Sequence, residues 1–260
     1  WRLRFLTYHQ ISEKGEPWAT PSSTWPWHST LWPRQYLIEK RSSGATGDSR
    51  SVRCLTAATA WARTSIGMGL GAHRARSDLE GHESGQDHIG LYLYNGNEYL
   101  EGMLGSYQAR VAPFNVNYRY VEDELRYLLS NATCRGLIYH ESFAPMVAAV
   151  RDDVEGLDVL IQVADGSGHD LLPGAVDYEA TLAATSPALE DVTPHPDDLY
   201  IVYTGGTTGM PKGVLWRQHD IFMSCMGGRN ILTWEAVSSY QKLANDAAAV
   251  KVPLKFMPLP

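Results

Sequence analysis

The sequence predicts an α/β fold, with a mostly parallel sheet flanked by helices, and three observations carry that prediction. From Asp87 onward, short apolar runs alternate with stretches whose apolar residues recur at helical spacing. The helical stretches are of the length that crosses from one parallel strand to the next. A loop rich in glycine and threonine directly follows one of the apolar runs, at the kind of place where α/β sheets bind ligands.

The elements follow in order. His88 to Tyr94 reads as a strand, closed by the turn Asn95-Gly96. Leu100, Met103, Leu104 and Tyr107 fall at i, i+3, i+4 and i+7 and predict an amphipathic helix with Asn97 as its N-cap. Val121, Leu125, Leu128 and Leu129 repeat that spacing in a second helix. Gly136 to Tyr139 is a short buried strand, residues 142 to 151 are helical, Val159 to Val163 is a strand, and Tyr178 to Ala184 is a short helix. The apolar run Leu199 to Val202 is the strand that leads into the loop.

That loop holds the candidate binding residues. Thr204, Gly205, Gly206, Thr207, Thr208 and Gly209 place three glycines and three threonines in six positions, and Lys212 follows after Pro211. Small residues let a backbone approach phosphate oxygens, and their N–H groups and hydroxyls can converge on an anion. The lysine adds positive charge, and the proline restricts the backbone that presents it. A Walker A loop requires a hydroxyl residue after the lysine, whereas Gly213 stands there, so that pattern fails. The residues present point to a grip on a polyphosphate.

The segment Tyr203 to Val214 resembles the signature Y-T-S-G-T-T-G-x-P-K-G-V of the adenylate-forming superfamily, which includes acyl-CoA synthetases, luciferases and peptide-synthetase adenylation domains. It departs from that signature at Gly205, where the family usually has serine, which removes one hydroxyl donor. Gly90 to Tyr99, Pro113 to Tyr120 and Gly213 to Gln218 are similar to phrases of actinobacterial-type fatty-acyl and steroid-side-chain acyl-CoA synthetases. The resemblance spans residues 87 to 260. It implies part of the large N-terminal domain of such an enzyme. Its cofactors would be ATP, Mg²⁺ and coenzyme A, and its substrate a small-molecule carboxylate converted to acyl-adenylate and then to acyl-CoA. Thr204, Gly205, Gly206, Thr207, Thr208, Gly209 and Lys212 would cradle the ATP phosphates. The adenine segment, the ribose-binding acid and the catalytic lysine of the family have no counterpart in this chain, so it is expected to be inactive alone, with no catalytic residue assigned.

Composition narrows the alternatives. The net charge of −7 argues against a nucleic-acid partner, and no apolar run is long enough to span a membrane. Cys54, Cys134 and Cys225 are odd in number and widely spaced, which suits reduced thiols in a cytoplasm rather than disulfides or zinc. The nine histidines show no metal-binding spacing. Asn131-Ala132-Thr133 matches a glycosylation acceptor by chance composition.

Residues 1–86 read differently. They hold six of the eight tryptophans and 11 basic against 7 acidic residues, where the remainder has 11 against 22. With little sustained period, they are expected to be an atypical segment, out of frame or disordered; an unusual N-terminal extension is the rival. The start at Trp1 and the finish at Pro260 both look cut. Gly67 to Ala72 fits G-x-G-x-x-A in spacing, but no apolar strand precedes it, so a dinucleotide site is not expected. Ser84 lacks the G-x-S-x-G setting of a hydrolase nucleophile. Two rivals to an acyl-CoA synthetase remain: another adenylate-forming branch (an aryl-CoA ligase or peptide-synthetase adenylation domain), and a non-catalytic nucleotide-binding remnant.

Overall fold

A computed structural model describes residues 49–186, 192–204, 210–225, 228–230, 233–239 and 242. The described helices are α1 (Ser49–Gly67), α2 (Asn97–Gln108), α3 (Glu122–Asn131), α4 (Ala144–Val150), α5 (Tyr178–Ala184) and α6 (Gln218–Cys225). The strands are β1 (His88–Tyr92), β2 (Ala112–Asn115), β3 (Cys134–His140), β4 (Val159–Val163), β5 (Val176–Asp177), β6 (Leu199–Thr204) and β7 (Lys212–Arg217). They form one seven-stranded sheet in the order β5-β4-β3-β1-β2-β6-β7, parallel throughout except for the antiparallel pair β6–β7.

Every residue of β1 is buried, as expected of a central parallel strand with both faces covered. Tyr92 of β1 faces a core formed with Phe114, Leu137, Leu160 and Ile201, closed by Leu125, Leu128 and Leu129 of α3 and Val147 and Val150 of α4. Ile89 and Leu91 point the other way, to a second core with Ile138, Ile161, Trp61 of α1 and Tyr178 of α5. The period of two along the strands thus builds three layers, with helices on both faces.

The second predicted helix forms, with Leu125, Leu128 and Leu129 at 0% exposure, but Val121 of the same predicted stripe is the N-cap residue and is 59% exposed, because the first turn lies beyond the core. The Glu124 carboxylate accepts from the Val121 backbone N–H at 3.1 Å and closes the first turn. Helix α2 forms as predicted but turns a different face inward. Leu100 is 52% exposed, while Glu101, Gly102, Gly105 and Ser106 are buried. The reason is α1, which packs so closely that a Cβ on Gly105 would lie 2.4 Å from the Ala58 carbonyl oxygen. Trp61 Nε1 donates to Ser106 Oγ across that contact at 3.2 Å. The predicted cap is also displaced: the N-cap residue is Gly96, and Asn97 donates to the Glu101 carboxylate instead.

Helix α1 itself lies in the stretch where the sequence shows little period. Its buried residues include Ala58, Thr59, Ala62 and Ser65 beside Trp61, a face too weakly apolar to register as a stripe. Thr59 and Ser65 satisfy their hydroxyls on the carbonyls of Leu55 and Trp61 within the helix. The G-x-G-x-x-A segment follows this helix rather than a strand. Gly69, at φ 78, terminates it, with Leu70 N–H returning to the Ser65 carbonyl.

Candidate phosphate-binding site

Because β1 to β6 run parallel, their carboxyl ends share one edge of the sheet. β6 delivers Thr204 to that edge and β7 returns from it, with Thr204 paired to Lys212, Tyr203 to Gly213 and Val202 to Val214. The structure therefore brings the first and last of the predicted binding residues opposite one another at the tip of a hairpin. Gly205, Gly206, Thr207, Thr208 and Gly209, which connect them, lie outside the described residues. Thr204 and Lys212 are both exposed, and among the described residues Lys212 makes no ion pair. A cation presented this way remains free for an anion arriving from solvent.

The base of the hairpin is tied to α3 by two phenols. Tyr127 of α3 donates from its hydroxyl to the Pro211 carbonyl oxygen at 3.1 Å, on the outgoing side of the loop. Tyr203, on the incoming side, donates to Asn131 Oδ1 at the end of α3, at 2.9 Å. Burial raises the Tyr203 phenol above its ordinary pKa, so it remains a donor through the neutral range. Gly213 is required beside it: a Cβ there would lie 2.9 Å from the Tyr203 ring. Asn131, whose amide oxygen is occupied in this way, is half-buried at the end of a helix. These contacts were invisible in the sequence, because Tyr127 and Pro211 are 84 positions apart and no motif joins them.

The rest of the edge is built from the ends of β1, β3 and β4. His140 closes β3, and its Nδ1 accepts the Tyr94 backbone N–H at 3.0 Å, so the neutral ring carries its proton on Nε2. Burial lowers the His140 pKa, while the carboxylates of Asp165 and Glu98 oppose that shift. The ring is thus held in place by the backbone just beyond the neighbouring strand β1. Asp165 is pushed up by burial, but hydrogen bonds from Ser142 and Ser167 outweigh this and hold it at about 2. The Glu141 carboxylate in turn accepts the N–H groups of Asp165 and Gly166. This acidic corner is internally satisfied. Among the described residues, no group of three or more His, Cys, Asp or Glu side chains is placed to hold a metal ion. The three cysteines are free thiols, and burial pushes Cys134 up to about 12.

Comparison with known proteins agrees with this fold. The chain is 59% identical over 182 residues to the medium-chain acyl-CoA ligase Mig of Mycobacterium avium, a match covering 70% of this chain and 33% of that protein. It is 39% identical over 178 residues to the 3-oxocholest-4-en-26-oate–CoA ligase of Rhodococcus rhodochrous, covering 68% and 32%. The chain thus spans about a third of the length of the curated relatives it matches. Among solved structures, the anthranilate CoA ligase AuaEII with anthranoyl-AMP superposes with a TM-score of 0.61 at 18% identity, over 77% of this chain and 37% of that one, a likeness of fold. Residues 79–257 match the family described as AMP-binding enzyme, and the chain belongs to that family.

Proposed function

We propose that this chain is the polyphosphate-gripping part of an ATP-dependent acyl-CoA ligase. Such an enzyme joins a carboxylic acid to the α-phosphate of ATP, releases pyrophosphate, and passes the acyl group to the thiol of coenzyme A. The observation that carries the reading is an exposed Lys212, without an ion-pair partner among the described residues, set opposite Thr204 at the carboxyl edge of the sheet.

Carboxylate and triphosphate repel one another, so attack at the α-phosphate needs the outer phosphates neutralised and held in line. Lys212 supplies the charge and Thr204 a hydroxyl donor. By the family resemblance, Gly205, Gly206, Thr207, Thr208 and Gly209 supply backbone and hydroxyl donors between them. Magnesium bound with the nucleotide would offset the charge of the phosphates. Residues 87–260 form part of the large nucleotide-binding domain; the family match begins earlier, at residue 79, and Trp61 of α1 packs into the same core. The groups for adenine, ribose and thioester formation belong to parts of the enzyme beyond this stretch, so this chain alone turns nothing over. Its setting is cytoplasmic, and among the described residues no helix is long and apolar enough to cross a membrane.

For the acid, the 59% identity to a medium-chain ligase favours a medium-chain fatty acid over a steroid side chain, where identity is 39%. The test is ATP–pyrophosphate exchange by a full-length enzyme carrying this segment, with a medium-chain fatty acid and a steroid carboxylate as alternative substrates. Exchange with the fatty acid is expected, and Lys212→Ala should slow it at least tenfold, the effect of about 1.4 kcal/mol lost from the transition state. An unchanged rate in that variant would refute the role of Lys212. ATP binding without exchange for any acid would leave the remnant reading standing.

A further inference from the structure

We infer that helix α3 positions the phosphate loop, with Tyr127 and Asn131 holding its two ends, a role resting on the reading of residues 204–212 as the ATP grip. The loop leaves and re-enters the sheet through described residues, and both passages are fastened to the same helix. On the way in, the Tyr203 hydroxyl reaches Asn131 Oδ1 at 2.9 Å. On the way out, the Tyr127 hydroxyl reaches the Pro211 carbonyl at 3.1 Å, one residue before Lys212.

The helix can serve as a fixed reference. Leu125, Leu128 and Leu129 on its inner face are at 0% exposure in the core below the sheet, whereas Tyr127 and Asn131 are half-buried and aimed at the hairpin. Residues 127 and 131 are four apart, one turn along the helix, so both tethers leave the same face. The contact surface is also cleared for them. Gly213, opposite Tyr203 in the ladder, has no Cβ to displace the ring, and the ring packs on Phe114 with centroids 5.8 Å apart.

Pro211 accounts for the choice of a carbonyl as the outgoing anchor. Its nitrogen has no hydrogen to donate, so its carbonyl is the backbone group by which it can be held. A hydrogen bond on that carbonyl orients the peptide unit that carries the Lys212 N–H. Tyr127 is thus a positioning residue, acting on the phosphates through Lys212 rather than by touching them.

The test uses the 260-residue chain and two readouts: hydrogen exchange of the 203–213 segment by mass spectrometry, and calorimetric binding of magnesium tripolyphosphate. Tyr127→Phe keeps the ring and removes the tether. It is expected to speed exchange in that segment and to weaken tripolyphosphate binding by roughly threefold to tenfold, the effect of one hydrogen bond. Exchange over α3 and the melting temperature should stay close to the parent, which a general loss of packing would not allow. Tyr203→Phe, removing the other tether, should speed exchange in the same segment. Should neither variant change exchange there, α3 does not position the loop, whatever happens to binding. Should the parent chain bind no tripolyphosphate, the polyphosphate reading fails, and exchange still decides for or against the tethers.

Discussion

The two edges of the sheet are fastened in different ways. At the amino edge, where strands enter, charged groups interlock. Arg110 binds Asp198 through two nitrogens at 2.9 and 3.0 Å, and the same carboxylate accepts the His195 N–H at 2.8 Å. Gln86 bridges the Arg110 carbonyl and the Leu199 N–H, while Asp87 collects the Gly71 N–H, His73 and Arg135. At the carboxyl edge, the hairpin that carries Thr204 and Lys212 is held to α3 by two neutral hydrogen bonds. The contrast places rigidity where the fold is specified and lighter restraint at the connection proposed to grip a polyphosphate. Arg110 makes the point sharply: it holds a left-handed backbone (φ 59), a conformation costly for a residue with a side chain, and the ion pair to a nearly buried Asp198 stabilises it there.

The largest effect should come from breaking the amino edge. Asp198→Ala leaves Arg110 and the His195 N–H without their acceptor, and should lower stability by about 3 kcal/mol in urea unfolding. A loss under about 1 kcal/mol would mean that this edge is no more tightly held than the other. A smaller change is expected at the carboxyl edge. Gly213→Ala pushes the Tyr203 ring aside and costs its bond to Asn131, about 1 kcal/mol, with tripolyphosphate binding weakened in proportion. If binding stays intact while stability falls, that tether supports the fold and not the loop.

The subtlest test is the acid side of the amino edge. His88 is buried at the start of β1, with Nδ1 bonded to the Ala132 carbonyl, and Nε2 has no partner among the described residues. Burial lowers its pKa below the ordinary 6.5, with the Ala132 bond and Asp87 opposing. The unfolded chain therefore takes up the proton first as pH falls. The stability His88 contributes is complete above about 6.5 and declines below it, towards its lowered folded value. His88→Asn, which keeps a donor without the titration, should flatten the pH dependence of unfolding in that window. A slope equal to that of the parent would assign the acid sensitivity to other groups.

Much of this architecture was legible in advance because it depends on local pattern. Leu125, Leu128 and Leu129 announce both a helix and its inward face, and the run Leu199 to Val202 announces the strand before the loop. Helix α2 shows where that reasoning stops. Its apolar stripe of Leu100, Met103 and Leu104 marks a helix correctly, yet the deeply buried face is Gly102, Gly105 and Ser106. Small residues carry no hydrophobic signal; their value lies in letting α1 approach, and that depends on a partner more than thirty positions away. Strands β2 and β5 leave little trace in the sequence for a related reason, being strands of four and two residues that only their neighbours define.

By itself, the sequence determined the chemistry on offer: an α/β sheet, a glycine- and threonine-rich connection after a strand, and one lysine set beyond a proline. Those properties reside in residue types and short spacings, which the chain carries wherever it is placed. The tertiary structure alone decided that Thr204 faces Lys212, that Tyr127 and Asn131 of α3 hold the two ends of the hairpin, and that Arg110 and Asp198 meet across 88 positions. Contacts at that range exist only once the strands have taken their order in the sheet, because the order sets which side chains become neighbours.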